Sequence, residues 1–190
     1  TKFNPNFWLI NGKAYPSTDA IPVAAGDKVL LLRSIVNSVR RLHTIAGVVH
    51  GDLKPRNILI FTTATGNYSA KLIDFDNAYK AGEPAANSED EEVVGDMVYY
   101  SPELSRYVRG DPSVPPSALS FPADIFALGI VFAEYLTGSR PGFDARTAGS
   151  VAEAVLGGQT LVIGPTGMPP HVDALLRRML PTPVFPDQER

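Results

Sequence analysis

Four side chains in this sequence are of the types that move a phosphoryl group. Asp52, Lys54 and Asn57 stand close together in "VVHGDLKPRNILI", residues 48–60, and Asp74 follows in "AKLIDFDN". A carboxylate such as Asp52 can orient a hydroxyl and accept its proton, and the ammonium of Lys54 can neutralise charge developing on a transferred group. Asn57 and Asp74 offer hard oxygen ligands, which suit a magnesium ion that also takes phosphate oxygens. Each residue alone has a plainer role. Asp-Leu-Lys triplets are common, a lone histidine among apolar residues is more often packed than catalytic, and Asp74 at a strand end can cap a turn. The joint pattern carries the reading.

These side chains need a frame. The pattern predicts a helix from Asp27, capped by that aspartate, with Leu32, Ile35, Val36, Val39 and Leu42 as its apolar stripe and Gly47 as its end. "VVH" and "ILIF" read as short strands flanking the polar loop, and "AKLIDF" as a third, joined to the second by the turn-rich "TTATGNYS". Residues 1–26 read as irregular, with one short strand around Phe7 to Ile10. Residues 76–98 form a long polar segment containing "NSEDEEVVGD", whose ordinary meaning is a solvated loop. A short helix is expected to start at Ser101-Pro102-Glu103. The proline density of "RGDPSVPPSALSFP" excludes regular structure there, and its Arg-Gly-Asp triplet is too short to argue adhesion. "PADIFALGIVFAEYLTGSRPG" is apolar nearly all round, the mark of a buried central helix. "SVAEAVLGG" and "HVDALLRRML" read as two further amphipathic helices, so the fold class is mainly α with a few short β-strands.

Composition narrows the function classes. A chain of 190 residues, 44% hydrophobic and 19% charged, fits one globular domain or a large piece of one. A net charge of −3 gives no general pull toward nucleic acid or an acidic membrane surface. Cysteine is absent, which removes disulfides, thiolate zinc sites and a cysteine nucleophile. The opening "TKFNPNFWLI" does not read as a signal peptide, and the longest apolar run, Ile125 to Ala133, is too short to span a bilayer. A soluble, cytoplasmic protein is the expectation. The first residue is not methionine, and a piece of a longer protein is expected.

In order along the chain, "HGDLKPRN" resembles the protein kinase catalytic loop H-R-D-L-K-P-x-N, and "DFD" resembles the metal-binding D-F-G. "GDMVYYSPE" resembles the end of the activation segment, "ADIFALG" the start of the family's buried helix, and "LLRRML" the late helix that precedes its conserved arginine. These matches cover roughly residues 27–190. The resemblance implies a protein-kinase-like carboxy-terminal lobe over 27–190, with the catalytic loop at 50–57, the activation segment at 74–103 and the buried helix at about 122–137. Residues 1–26 would be a hinge-like lead-in or a remnant of the amino lobe. It further implies transfer of the γ-phosphate of MgATP to a serine or threonine hydroxyl of a protein. In that reading Asp52 and Lys54 are catalytic, Lys54, Asn57 and Asp74 contact the nucleotide, and Asn57 and Asp74 hold Mg2+. "DLKPRN" is similar to serine/threonine kinases, whereas tyrosine kinases usually show "DLAARN" or "DLRAAN". His50 and Phe75 would pack in the stack joining the lobes, Glu103 would pair with a late arginine such as Arg190, and Asp124 would hydrogen-bond the catalytic-loop backbone.

The sequence also departs from that pattern. No glycine-rich G-x-G-x-x-G and no V-A-I-K lysine stand before the catalytic loop, and nothing around Lys13 resembles the family strand. An amino lobe is therefore expected to come from a further segment or a partner. Gly51 replaces the arginine that reads a phosphate on the activation loop. Asp76 replaces the glycine after Phe75, which is expected to restrict that turn. Asp96 stands where the family has a threonine contacting the catalytic Asp and Lys, so its carboxylate is expected to repel Asp52 or pair with Lys54. Two alternatives follow. One is a pseudokinase or scaffold lobe that binds a partner protein. The other, ranked lower, is a small-molecule phosphotransferase of the aminoglycoside or choline kinase type, which shares "HGD" and "DFD".

Overall fold

Leu9–Ile10 (β1) and Lys13–Ala14 (β2) pair antiparallel, with Leu9 opposite Ala14 and Ile10 opposite Lys13. The computed structural model describes residues 9–10, 13–14, 25–83 and 96–180. The acidic run "NSEDEE", Arg190 and most of the 1–26 lead-in, all drawn on above, lie outside the described residues. Of the strand expected around Phe7 to Ile10, Leu9–Ile10 is present; its partner Lys13–Ala14 was not read from the sequence.

The first long helix (α1, Ala25–Arg41) begins two residues before Asp27, so Asp27 lies within its first turn and not at its cap position. Its buried ladder also differs from the expected stripe. Leu31, Ile35 and Val39 are buried at a strict spacing of four, whereas Leu32 is half-buried and Val36 is 42% exposed. Each residue turns a helix by about 100°, so Val36 cannot share a face with Ile35. The ladder runs on to His43, in a π-helical turn at Leu42–Ala46. Gly47, at φ 67°, ends the element as expected, its amide donating to the carbonyls of His43 and Leu42.

Val48–Val49 (β3) follows, then Ile58–Thr62 (β4) and Tyr68–Leu72 (β5). β4 and β5 form an antiparallel hairpin running from Ile58 opposite Leu72 to Thr62 opposite Tyr68. β5 lies on α1, where Ser34 Oγ accepts from the Ala70 amide at 3.0 Å and meets Ser69 Oγ at 3.0 Å. His50 is outside β3, and β5 stops two residues before Asp74. The segment expected to be loop after residue 76 contains a further strand, Tyr79–Lys80 (β6), which pairs antiparallel with β3.

Ser101 caps the short helix α2 (Pro102–Val108) by accepting the Leu104 amide at 3.3 Å, with proline at the first helical position. After an irregular stretch broken only by a 3-10 turn at Pro116–Ala118 comes α3 (Pro122–Thr137), ended by Gly138 at φ 76°. Ser150 caps α4 (Val151–Leu156), and α5 (Pro170–Met179) closes the described chain.

α3 feeds all three apolar clusters. Leu128, Val131, Phe132 and Leu136 meet α1, β4 and α5; Phe126 and Ile130 meet α4; Ala123 meets Val49, Tyr79 and Leu104. Burying each such large side chain stabilises by about 1.5–3 kcal/mol. Gly129 lets the end of α5 approach: a β-carbon there would stand 2.8 Å from Leu180 and 3.1 Å from Met179.

Candidate active site

The polar loop between β3 and β4 hangs from one buried carboxylate on α3. Asp124, 1% exposed, accepts the His50 amide at 2.8 Å on Oδ2 and the Gly51 amide at 3.1 Å on Oδ1. His43 Nε2 donates to the same Oδ2 at 2.7 Å, and its ring stacks on Phe121 at 4.5 Å. The expected role of Asp124 toward the loop backbone is thus seen directly. His43 was not singled out in the sequence; its signal is a polar residue at the fourth rung of the 31, 35, 39 ladder.

This grip sets the loop's conformation. Gly51 takes φ 76°, where a β-carbon would stand 2.4 Å from the Asn77 carbonyl oxygen and 3.1 Å from the Tyr79 ring. No side chain enters that space without moving backbone. His50 is fully buried, donates Nε2–H to the Ile73 carbonyl at 3.1 Å and packs against Phe75 with ring centroids 4.7 Å apart. Burial lowers its pKa below the ordinary 6.5, against the opposing pull of Asp124, Asp52 and Asp74. Its Nδ1 and the Tyr79 hydroxyl are buried without a hydrogen-bond partner among the described residues. Burial, with Asp124 and Glu103 nearby, raises the Tyr79 pKa and keeps the phenol neutral.

Three of the four predicted side chains meet. Asp52 is 4% exposed; Lys54 Nζ donates to its Oδ2 at 2.6 Å. Asn57 Nδ2 donates to the Asp52 carbonyl at 2.9 Å and to its Oδ2 at 3.0 Å. Both Asn57 donors are thereby engaged, which leaves the amide oxygen as the atom suited to a cation. The Ile73 amide donates to the Asn57 carbonyl at 3.0 Å, bringing the turn that carries Asp74 to the end of the loop. Asp74 is exposed and takes φ 65°, the single non-glycine residue in the left-handed region among the described residues. That strain falls on Asp74, and Asp76 does not adopt a positive φ. Among the described residues no group of three His, Cys, Asp or Glu side chains forms a ready metal cage. An Asn–Asp pair remains the right chemistry for Mg2+, which usually takes one or two carboxylates and completes its shell with phosphate and water.

Asp96 corrects an expectation. Its amide, not its carboxylate, faces the Asp52 carboxylate, with N 3.4 Å from Oδ1. The Asp96 carboxylate turns away to accept the Val98 amide at 3.2 Å, capping a 3-10 turn at Met97–Tyr99. Tyr99 then donates its hydroxyl to Glu134 of α3 at 2.9 Å. Glu134 and Tyr99 complete the frame, and neither pairing was read from the sequence.

A protein kinase domain model matches residues 18–179. The chain belongs to the protein kinase family. Its relatives include a probable serine/threonine-protein kinase PknB of Lactococcus lactis, 31% identical over 74% of this chain. Serine/threonine-protein kinase PknL of Mycobacterium tuberculosis is 32% identical over 82%, and CDPK-related kinase 3 of Arabidopsis thaliana 33% over 78%. The aligned stretch takes up 20%, 35% and 21% of those relatives' own lengths. Within this kinase-family chain no described helix is long and apolar enough to cross a membrane.

Proposed function

We propose that this protein transfers the γ-phosphate of ATP to a serine or threonine hydroxyl of a protein. The observation that carries the reading is the buried Asp52 carboxylate, held by Lys54 at 2.6 Å and Asn57 at 3.0 Å beside the turn that carries Asp74. Asp52 orients the acceptor hydroxyl and takes its proton as the new bond forms. Lys54, in hydrogen-bond contact with that carboxylate, stands where charge develops on the moving phosphoryl group and offsets it. Asn57 and Asp74 would hold Mg2+, which when bound supplies positive charge to the phosphate oxygens. The relatives' names as serine/threonine kinases and the "DLKPRN" loop favour a serine or threonine acceptor over a tyrosine or an amino sugar.

In this reading residues 27–190 form the carboxy lobe, α3 is its buried central helix, and residues 1–26 lead into it. A further segment or a partner covers the ATP phosphates, since the catalytic residues above include no glycine-rich loop or second phosphate-gripping lysine. The protein works without a nucleic-acid or membrane partner, in the cytoplasm. The test is a titration of ATP with and without Mg2+, run beside turnover on a serine-containing acceptor protein. Wild type is expected to bind ATP more tightly with Mg2+, and Asp74→Ala to lose that difference together with turnover. Unchanged turnover in Asp74→Ala would remove the metal assignment. Binding without any turnover in the intact protein would favour a scaffold.

A further inference from the structure

We infer that Asp96 is a positioning residue for Asp52, acting through its backbone amide, with its own carboxylate serving only to fix that amide. The inference deepens the phosphotransfer reading and rests on it. Three bonds hold Asp96 in place. Its carboxylate accepts the Val98 amide at 3.2 Å, its carbonyl accepts the Tyr99 amide at 2.9 Å, and its own N–H points at Asp52 Oδ1 at 3.4 Å. The turn so formed is not free to drift, because the Tyr99 hydroxyl is bonded to Glu134 on α3 at 2.9 Å. The same helix holds the other side of the site through Asp124. Asp52 is therefore oriented from two directions: Lys54 and Asn57 share Oδ2, and the Asp96 amide addresses Oδ1.

A charge account and a capping account of this aspartate make opposite predictions. If the carboxylate acted by charge on Asp52 or Lys54, any neutral replacement would change turnover. It is engaged with the Val98 amide, and an Asp carboxylate, an Asn amide oxygen or a Thr hydroxyl can each take that cap position. Alanine cannot cap, and glutamate keeps the charge while its longer chain caps poorly. Side-chain identity at 96 thus matters through the cap, and threonine and aspartate become equivalent there.

Four variants separate the two accounts: Asp96→Asn, Asp96→Thr, Asp96→Ala and Asp96→Glu, each measured for kcat and KM on MgATP and an acceptor protein. Asn and Thr are expected to stay within about twofold of wild type, while Ala and Glu lose about five- to tenfold in kcat at little-changed KM, as expected when the lost interaction matters in the transition state. Amide hydrogen exchange of residues 96–100 is followed in parallel, with protection expected in wild type, Asn and Thr and reduced in Ala and Glu. If Asn and Ala change turnover alike while Glu matches wild type, the carboxylate acts by charge and the inference is overturned. Equal exchange in all five proteins overturns it as well, whatever the turnover. If exchange follows the cap but no protein transfers phosphate, the positioning geometry stands and the phosphotransfer reading is what fails.

Discussion

Asp52 has no spare freedom. Both of its oxygens and its carbonyl are addressed by named donors, and 4% exposure keeps bulk water from competing with them. Asp52→Asn is expected to lower kcat by roughly 100-fold or more while leaving the fold intact, because the amide cannot take the acceptor proton; circular dichroism beside the turnover assay checks both halves. Gly51 makes a different demand. Restoring the family arginine by Gly51→Arg places a β-carbon 2.4 Å from the Asn77 carbonyl oxygen at φ 76°, so the variant should be less stable by about 1–3 kcal/mol. A melting temperature equal to wild type would show that the loop relaxes freely. Because Gly51 leaves no arginine to read a loop phosphate, phosphatase treatment is expected to leave turnover unchanged. His50 predicts a pH dependence. Its pKa is lowered in the folded state, so the unfolded chain binds the proton more readily. The stability linked to it is fully present above 6.5, the ordinary histidine value, and is lost as pH falls through the lower folded-state value. Thermal melts from pH 8 to about pH 5 should therefore fall more steeply for wild type than for His50→Gln; equal slopes would contradict a neutral, buried His50.

α3 acts as the ruler of the site. Asp124 in its first turn holds the loop between β3 and β4, and Glu134 holds the Tyr99 turn. The ten-residue step from Asp124 to Glu134 sets a spacing of about 15 Å along the axis. Asp124→Ala leaves three donors without their acceptor in a buried place. It is expected to destabilise by about 3–5 kcal/mol and to lower turnover, which chemical denaturation and kinetics would measure. This helix was legible in the sequence because an all-apolar run with a proline start and a glycine end has few other readings. The helix start at Ser101 and the helix end at Gly47 were legible from local residue types as well. What escaped was set by tertiary pairing: β6 exists because Tyr79 and Lys80 meet β3, and α1 buries Leu31 instead of Val36 because Leu31, Ile35 and Val39 share the face that packs into the main apolar cluster. Asp96 was misread for a related reason. Residue type announced a carboxylate near Asp52, but only the turn geometry shows that the amide faces it and the side chain faces Val98.

At the scale of the molecule, three apolar clusters converge on one helix, and the same helix carries Asp124 and Glu134, which hold the loop after β3 and the Tyr99 turn. Stability and chemistry are therefore linked: weakening the packing of α3 should lower turnover through misplacement of Asp52. Gly129→Leu tests this away from the site. Its side chain must enter the space of Leu180 and Met179, so a loss of about 1–3 kcal/mol is expected together with reduced turnover. The central claim, transfer from MgATP to a serine or threonine hydroxyl, is tested most directly by phosphoamino-acid analysis. An acceptor protein is incubated with γ-labelled ATP, Mg2+ and either the whole protein or its Asp52→Asn variant. The account predicts labelled phosphoserine or phosphothreonine with wild type and its near absence with Asp52→Asn. Equal labelling by both proteins, or label carried only by an amino sugar, would contradict it.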